Sequence, residues 1–353
     1  MFYLKLLLSP LALLYLIATK LRNYFYDIGH KPSFSFETVV ISVGNLNVGG
    51  SGKTPMIEYL VRLLQHKYSI AILSRGYGRK TKGFRMAGKE DNAMTLGDEP
   101  FQYYRKFGKE VMVAVGEERA LAIPTLLNQE NPPDIILMDD AFQHRSVKPQ
   151  FSILLTEKDN PFYKDFVFPM GRLRESRYGA KRADAVLITK CNAEEKNTEE
   201  AVNNVKHYAG NKPVYFTGLT YKSPEPFESE SEVGSSVILV SGIANSSYLE
   251  EYVAARFKLL KHFKFEDHHI YKVNEIEAIE KTMRESGATS IITTEKDMVK
   301  LISTSFDKVL HRELWFFLPI ETIFLNRGSE FDKMILLTIE NRLKELESNA
   351  IGG

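Results

Sequence analysis

The sequence predicts an α/β fold: a mostly parallel sheet with helices on both faces, followed by a second, smaller α/β unit. Three observations carry this. Short apolar runs rich in Val, Ile and Leu recur along the chain, as strands buried on both faces require. Helical patterns occupy several of the gaps between them, which implies right-handed crossovers. A glycine-rich turn joins the first run to an amphipathic stretch, at the kind of strand–helix junction where open α/β sheets hold ligands.

The bulk composition narrows the class. At 353 residues the chain is long enough for two domains with full cores. Its net charge of +1 leaves no basic excess for a nucleic-acid partner. Cys191 is the single cysteine, so no intrachain disulfide and no Cys-rich zinc site can form.

Residues 1–30 form the first element. Phe2 to Ala18 are apolar apart from Lys5, Ser9 and aromatic hydroxyls; Lys20 and Arg22 follow, and no acid precedes Asp27. A spanning helix needs about 20 apolar residues; this run is shorter and contains Lys5 and Pro10. No small-x-small cleavage site follows it, as a signal peptide would need. Between a buried core helix and an in-plane or shallow anchor, the anchor is preferred. It explains the Leu-rich face, the aromatic residues and the flanking cations together.

Residues 31–222 read as a nucleotide-binding domain. Thr38 to Val43 is a β-branched strand, and Met56, Ile57, Leu60, Val61 and Leu64 recur at helical spacing after it. Between them lies Asn47-Val48-Gly49-Gly50-Ser51-Gly52-Lys53-Thr54, close to the G-x-x-x-x-G-K-[ST] phosphate loop. Such a turn aims backbone amides at polyphosphate from the positive end of a helix. Lys53 is expected on the β- and γ-phosphates and Thr54 on Mg²⁺. Asn47 replaces the first glycine, and Asn tolerates left-handed backbone.

A partner acid is supplied by Asp134 to Asp140, an apolar run ending in two carboxylates. At a strand's C-terminal end Asp139 would face the ligand crevice and hold Mg²⁺ directly or through water. Ser69–Ser74, Val111–Val115, Phe151–Leu155 and Ala185–Thr189 read as further strands. After the last of these, Thr189-Lys190-Cys191-Asn192 lacks the acid that selects guanine, which favours ATP.

Residues 223–236, rich in Ser, Pro and Glu, read as a linker or exposed loop. Residues 237–353 are expected to form the second unit. Its strands fall at 237–242, 259–265, 290–293 and 314–319, and an amphipathic helix over 331–346 closes it.

With the phosphate loop, Gly97-Asp98-Glu99-Pro100, Asp139-Asp140-Ala141-Phe142-Gln143-His144-Arg145 and Asp267-His268-His269 in view, the chain resembles the tetraacyldisaccharide 4′-kinases. The likeness runs from the apolar N-terminus through Ser74-Arg75-Gly76-Tyr77-Gly78 and Arg174-Glu175 to Thr293-Thr294-Glu295-Lys296-Asp297. It departs at Ala141, where Gly is usual, and at Arg172 and Ser176, where prolines are common.

The resemblance implies transfer of the ATP γ-phosphate to the 4′-hydroxyl of an acylated glucosamine disaccharide 1-phosphate. It places the enzyme peripherally or monotopically on the cytoplasmic face of the inner membrane, with a lipid substrate and no obligate protein partner. Two α/β domains would flank the active site. It also implies that Asp98 takes the hydroxyl proton with His268 as its partner. Asp140 or Glu99 would be further metal ligands or water holders. By residue type, Arg75, Arg79, Arg119 and Arg174 are candidates for lipid-phosphate or ATP-phosphate contacts, and Tyr77 and Glu175 are candidates for holding the disaccharide. His144 and Arg145 either contact phosphate or pair with Asp140 or a helix end.

The rival reading is a membrane-associated partition-type ATPase. That class usually carries a Lys directly before the Gly-Gly pair, where this chain has Val48.

Overall fold

The structure is a computed structural model that describes residues 2–192, 198–228, 230–302 and 306–352. Ser229 of the expected linker and the side chain of Lys5 lie outside the described part.

Helix α1 (Phe2–Asp27) leads into β1 (Val39–Asn45), α2 (Lys53–Leu64), β2 (Ile70–Ser74), β3 (Arg85–Met86), α3 (Ala93–Leu96) and α4 (Asp98–Phe107). β4 (Met112–Val115), α5 (Arg119–Leu127), β5 (Ile135–Asp139), β6 (Phe151–Glu157), β7 (Ala185–Thr189), α6 (Thr198–Ala209) and β8 (Val214–Tyr221) follow. The second group is β9 (Glu225–Pro226), β10 (Ser236–Ser241), α7 (Ser247–Ala254), β11 (Lys258–Lys264), α8 (Val273–Ser286), β12 (Ser290–Thr294), α9 (Glu295–Leu301) and β13 (Trp315–Leu318). The chain closes with β14 (Ile320–Phe324) and α10 (Gly328–Gly352).

Among the described residues the large sheet has nine strands in the order β14-β8-β7-β6-β1-β5-β2-β4-β3. From β8 to β4 neighbours pair parallel; β14 and β3 cap the edges antiparallel. Every residue of β1 is buried, as a central parallel strand requires. Period-two alternation sends its side chains to opposite layers. Val39, Ile41 and Val43 pack with Met56, Ile57 and Leu60 of α2 and with Phe331, Ile335 and Ile339 of α10. Val40 packs instead with Ile123 and Leu126 of α5.

The second sheet runs β11-β10-β12-β13-β9. Its core takes in Leu96, Phe101 and Val115 from the first group, so α4 is gripped by both units. The chain's path differs from the expected division at two places. β9 lies within the segment read as a linker and pairs with β13. After β13 the chain returns: β14 pairs with β8, and α10 fills the first core rather than closing the second. No local pattern announces such a return, because strand pairing across a hundred residues leaves no periodic mark.

Candidate active site

β1 ends under the phosphate loop, and the loop's shape follows from its contacts. Gly49 and Gly52 take positive φ, 125° and 84°. Asn47 does not need the left-handed form expected of it. It forms an antiparallel bridge with Leu173, and its side-chain amide donates to Asp165 Oδ2 at 2.8 Å. The Val48 amide donates to Arg172 O at 2.8 Å. Among the described residues, the amides of Gly50, Gly52, Lys53 and Thr54 have no hydrogen-bond partner. Those of Gly52, Lys53 and Thr54 are the cap and first donors of α2, with Gly50 in the loop just before them, the arrangement that binds anions. Lys53 Nζ stands 3.4 Å from Asn45 Oδ1 and 3.6 Å from Asp140 Oδ1, at the foot of that set.

β5 delivers the two carboxylates beside this loop, and they differ. Asp139 is buried. One oxygen accepts from Ser74 Oγ at 3.3 Å; the other, Oδ1, is buried with no partner. Burial, then the charge of Asp140, pushes its carboxyl up to about 7. Asp140 sits at φ 48°. Burial would raise its pKa, but Lys53 and Arg174 outweigh that and hold it below the usual range. Arg174 Nη1 bridges both its oxygens at 2.9 and 3.0 Å. The loop after β5 presses close to β1: a Cβ on Gly44 would stand 2.7 Å from Phe142 Cβ.

The two units meet at the start of α4. Gly97 (φ 95°) turns the chain there, and a Cβ on it would come 2.8 Å from Tyr77 O. Asp98 and Glu99 form the first turn of α4, where carboxylates complement the helix dipole. From the opposite unit, His268 Nδ1 reaches Asp98 Oδ2 at 3.3 Å. Lys296 Nζ lies 3.4 Å from Glu99 Oε1, and Lys300 Nζ lies 3.9 Å from Asp98 Oδ2. These two lysines on α9 were not picked out in the sequence, although Lys296 belongs to the Thr-Thr-Glu-Lys-Asp string that carries the resemblance.

Behind the cleft, Lys106 of α4 bonds to Glu58 of α2 and to Glu295 of α9, each at 2.8 Å. This ties the phosphate-loop helix, the Asp98 helix and the second unit together.

His268 gives a pH signature. Its hydrogen bond to Asp98 raises its proton affinity above the ordinary 6.5, outweighing burial. Stabilisation from the pair is therefore fully present below 6.5 and is lost as pH rises through the raised value. An NMR titration of the His268 ring should show a lower pKa in Asp98→Asn than in the parent chain. An equal value would mean the pair does not form in solution.

The other expected residues divide. Tyr77 is exposed at the cleft, its ring centroid 5.6 Å from that of His268. His144 lies beside Asp140 and is kept neutral: burial, then Arg119 and Arg75, push it down to about 4. Its neighbour Arg145 instead bonds to α1, at Asn23 O and Asp27. Three residues sit differently from a surface contact. Arg79 has a buried side chain that bonds to Glu117 and Gly83 O. Arg119 is 0% exposed and reaches Gly116 O at 2.9 Å and Asp139 O at 3.3 Å, behind β5. Glu175 is buried and saturated by Gln143, Arg182 and Asn23, so it locks α1 to the loops rather than facing the cleft. Residue type signals surface for all three, and only their hydrogen bonds reveal otherwise.

Known proteins match nearly the whole chain. A family model described as tetraacyldisaccharide-1-P 4′-kinase matches residues 4–340. The tetraacyldisaccharide 4′-kinase of Flavobacterium psychrophilum is 43% identical over 350 residues, covering 96% of this chain and 98% of its own. That of Flavobacterium johnsoniae is 41% identical over 345 residues, with the same coverages. Among solved structures, Aquifex aeolicus LpxK in complex with ATP aligns with a TM-score of 0.75 at 28% identity, over 95% of this chain and 99% of that one. Phosphate loop, paired acids and cross-unit Asp–His contact thus sit in a chain matched nearly end to end, and it belongs to the tetraacyldisaccharide 4′-kinase family.

Proposed function

We propose that this chain holds ATP on the loop Asn47 to Thr54 and passes its γ-phosphate to the 4′-hydroxyl of a tetraacylated glucosamine disaccharide 1-phosphate, in lipid A biosynthesis. The observation that carries the site assignment is the Asp98–His268 contact, which joins the two units at the mouth of the cleft.

In this reading the sugar oxygen attacks the γ-phosphorus and the bond to the β-bridging oxygen breaks. ADP leaves, and Asp98 takes the hydroxyl proton. A carboxylate in that place supplies general-base help worth about 10²–10⁴-fold. His268 orients Asp98, so the base is complete only when the units are together. Lys53 and the free loop amides offset charge on the transferred group, which is most of what phosphoryl transfer asks of a protein. A magnesium ion, if bound here, would supply positive charge against the phosphates. Thr54 and Asp139 are its proposed holders, with Asp140 and Glu99 nearby. The unpartnered Asp139 Oδ1 fits this, because a hard cation takes oxygen donors.

Helix α1 supports a place on a membrane surface. No helix among the described residues is long and apolar enough to cross a bilayer. Yet Leu7, Leu11, Leu14, Ile17 and Leu21 of α1 are all exposed. Buried Ala12, Tyr15 bonded to Arg174 O and Asn23 bonded to Glu175 dock its other side. An in-plane or shallow anchor at the cytoplasmic face of the inner membrane would hold the cleft at headgroup level and raise effective substrate concentration. Deleting residues 1–22 should cut binding to anionic vesicles at least tenfold; undiminished binding would move the anchor elsewhere.

The transfer itself is tested with labelled ATP, Mg²⁺ and acylated disaccharide 1-phosphate in mixed micelles. Label should appear in the lipid. Release of labelled phosphate alone, independent of the acceptor, would favour a plain ATPase.

A further inference from the structure

Residues 165–174, between β6 and β7, put a second apolar surface beside α1. Phe168 is 54% exposed and Phe166 is exposed as well, while Val167 between them turns inward. We propose that this segment is a second membrane-contacting element, with Phe168 seated in the interfacial layer of an anionic bilayer next to α1. The proposal rests on the reading of α1 as an anchor and extends it to a part of the chain far away in sequence.

The exposure of Phe168 is built rather than left over from a loose loop. The segment closes on itself: Phe168 N donates to Leu173 O, Leu173 N to Phe166 O, and Met170 N to Val167 O. Asp165 braces it by accepting from the amides of Phe166 and Arg172, while its carbonyl accepts from Arg177. Its far edge is pinned to the phosphate loop through Asn47 and Val48. A ring held this firmly and still more than half exposed, beside exposed Phe166 and the apolar face of α1, is a site for an apolar environment.

Continuity with α1 identifies that environment. The Tyr15 ring meets Phe168 edge-on, centroids 6.0 Å apart, and Tyr15 Oη donates to Arg174 O at 2.8 Å. The outward residues Leu7, Leu11 and Leu14 lie N-terminal to Tyr15, within roughly 12 Å along the axis at about 1.5 Å per residue. The aromatic pair therefore stands within the exposed apolar face of α1, between Leu14 and Ile17. Lys20, C-terminal to Tyr15 on α1, is exposed, as are Lys164 and Arg172 on either side of Phe168. Exposed apolar and aromatic side chains with cations close by in sequence are what an interface bearing anionic headgroups takes.

The test uses the full chain, whose one tryptophan, Trp315, is fully buried. Variants Phe168→Trp and Leu11→Trp are mixed with phosphatidylethanolamine–phosphatidylglycerol vesicles carrying brominated chains, with no acylated disaccharide present. Emission from both added tryptophans should be quenched. Phe168→Ser, measured separately by vesicle sedimentation, should weaken partitioning about tenfold, the factor for losing one buried ring at the low end of its range. Quenching of Leu11→Trp without Phe168→Trp would overturn this proposal and leave the α1 anchor standing. Quenching of neither would remove both. Quenching of Phe168→Trp only after the acylated disaccharide is added would assign the ring to substrate chains and also overturn it.

Discussion

Lys53→Ala is expected to abolish measurable phosphoryl transfer, with a fall in turnover of at least about 10²–10³-fold, the effect of removing one preorganised donor from a developing charge. The fold should survive. Lys53 Nζ makes only long contacts, 3.4 Å to Asn45 and 3.6 Å to Asp140, and Asp140 keeps its closer Arg174 partner. The measurement pairs steady-state transfer with thermal unfolding. Near-normal turnover would mean that the loop does not cradle the reacting phosphate. Lost turnover with a collapsed unfolding transition would mean that the lysine holds structure instead.

Asp98→Asn should separate chemistry from binding. The amide fills nearly the same volume but accepts a proton poorly, so turnover should drop by about 10²–10⁴-fold. ATP affinity should stay within a few-fold, since Asp98 lies on α4 while the free amides lie on α2 and its cap. Some loss of stability accompanies the change. The first-turn charge of α4 is worth about 0.3–1 kcal/mol, and His268 loses its carboxylate partner. An unchanged maximal rate would remove Asp98 from the base role. A large loss of ATP affinity would instead place it among the nucleotide contacts.

How much of this was legible beforehand depends on the range of each interaction. The phosphate loop was readable because strand, turn and helix are contiguous: β1, the free amides and Lys53 fall within residues 39–54. Asp139 was readable for the same reason, as the last residue of a wholly apolar strand. The Asp98–His268 contact spans 170 residues and came only from family likeness; no spacing rule connects those positions.

Tertiary contacts override residue type at several positions. Arg119 and Glu175 look like surface charges, yet carbonyls and neighbouring side chains satisfy them inside the protein. Asn47 looks like a substitute for a left-handed glycine but is held by Leu173 and Asp165 instead. By sequence order β14 and α10 fall in the second unit, whereas β8 and the α2 face of the first sheet recruit them.

A crystal structure with a non-hydrolysable ATP analogue, Mg²⁺ and a short-chain acceptor tests the central claim most directly. Terminal phosphate oxygens should lie on the amides of Gly50 to Thr54, with the Asp139 carboxylate turned to the cation. The acceptor 4′-hydroxyl should lie about 2.6–3.2 Å from Asp98. An empty loop, or an acceptor whose hydroxyl meets neither Asp98 nor the γ-phosphate, would contradict it.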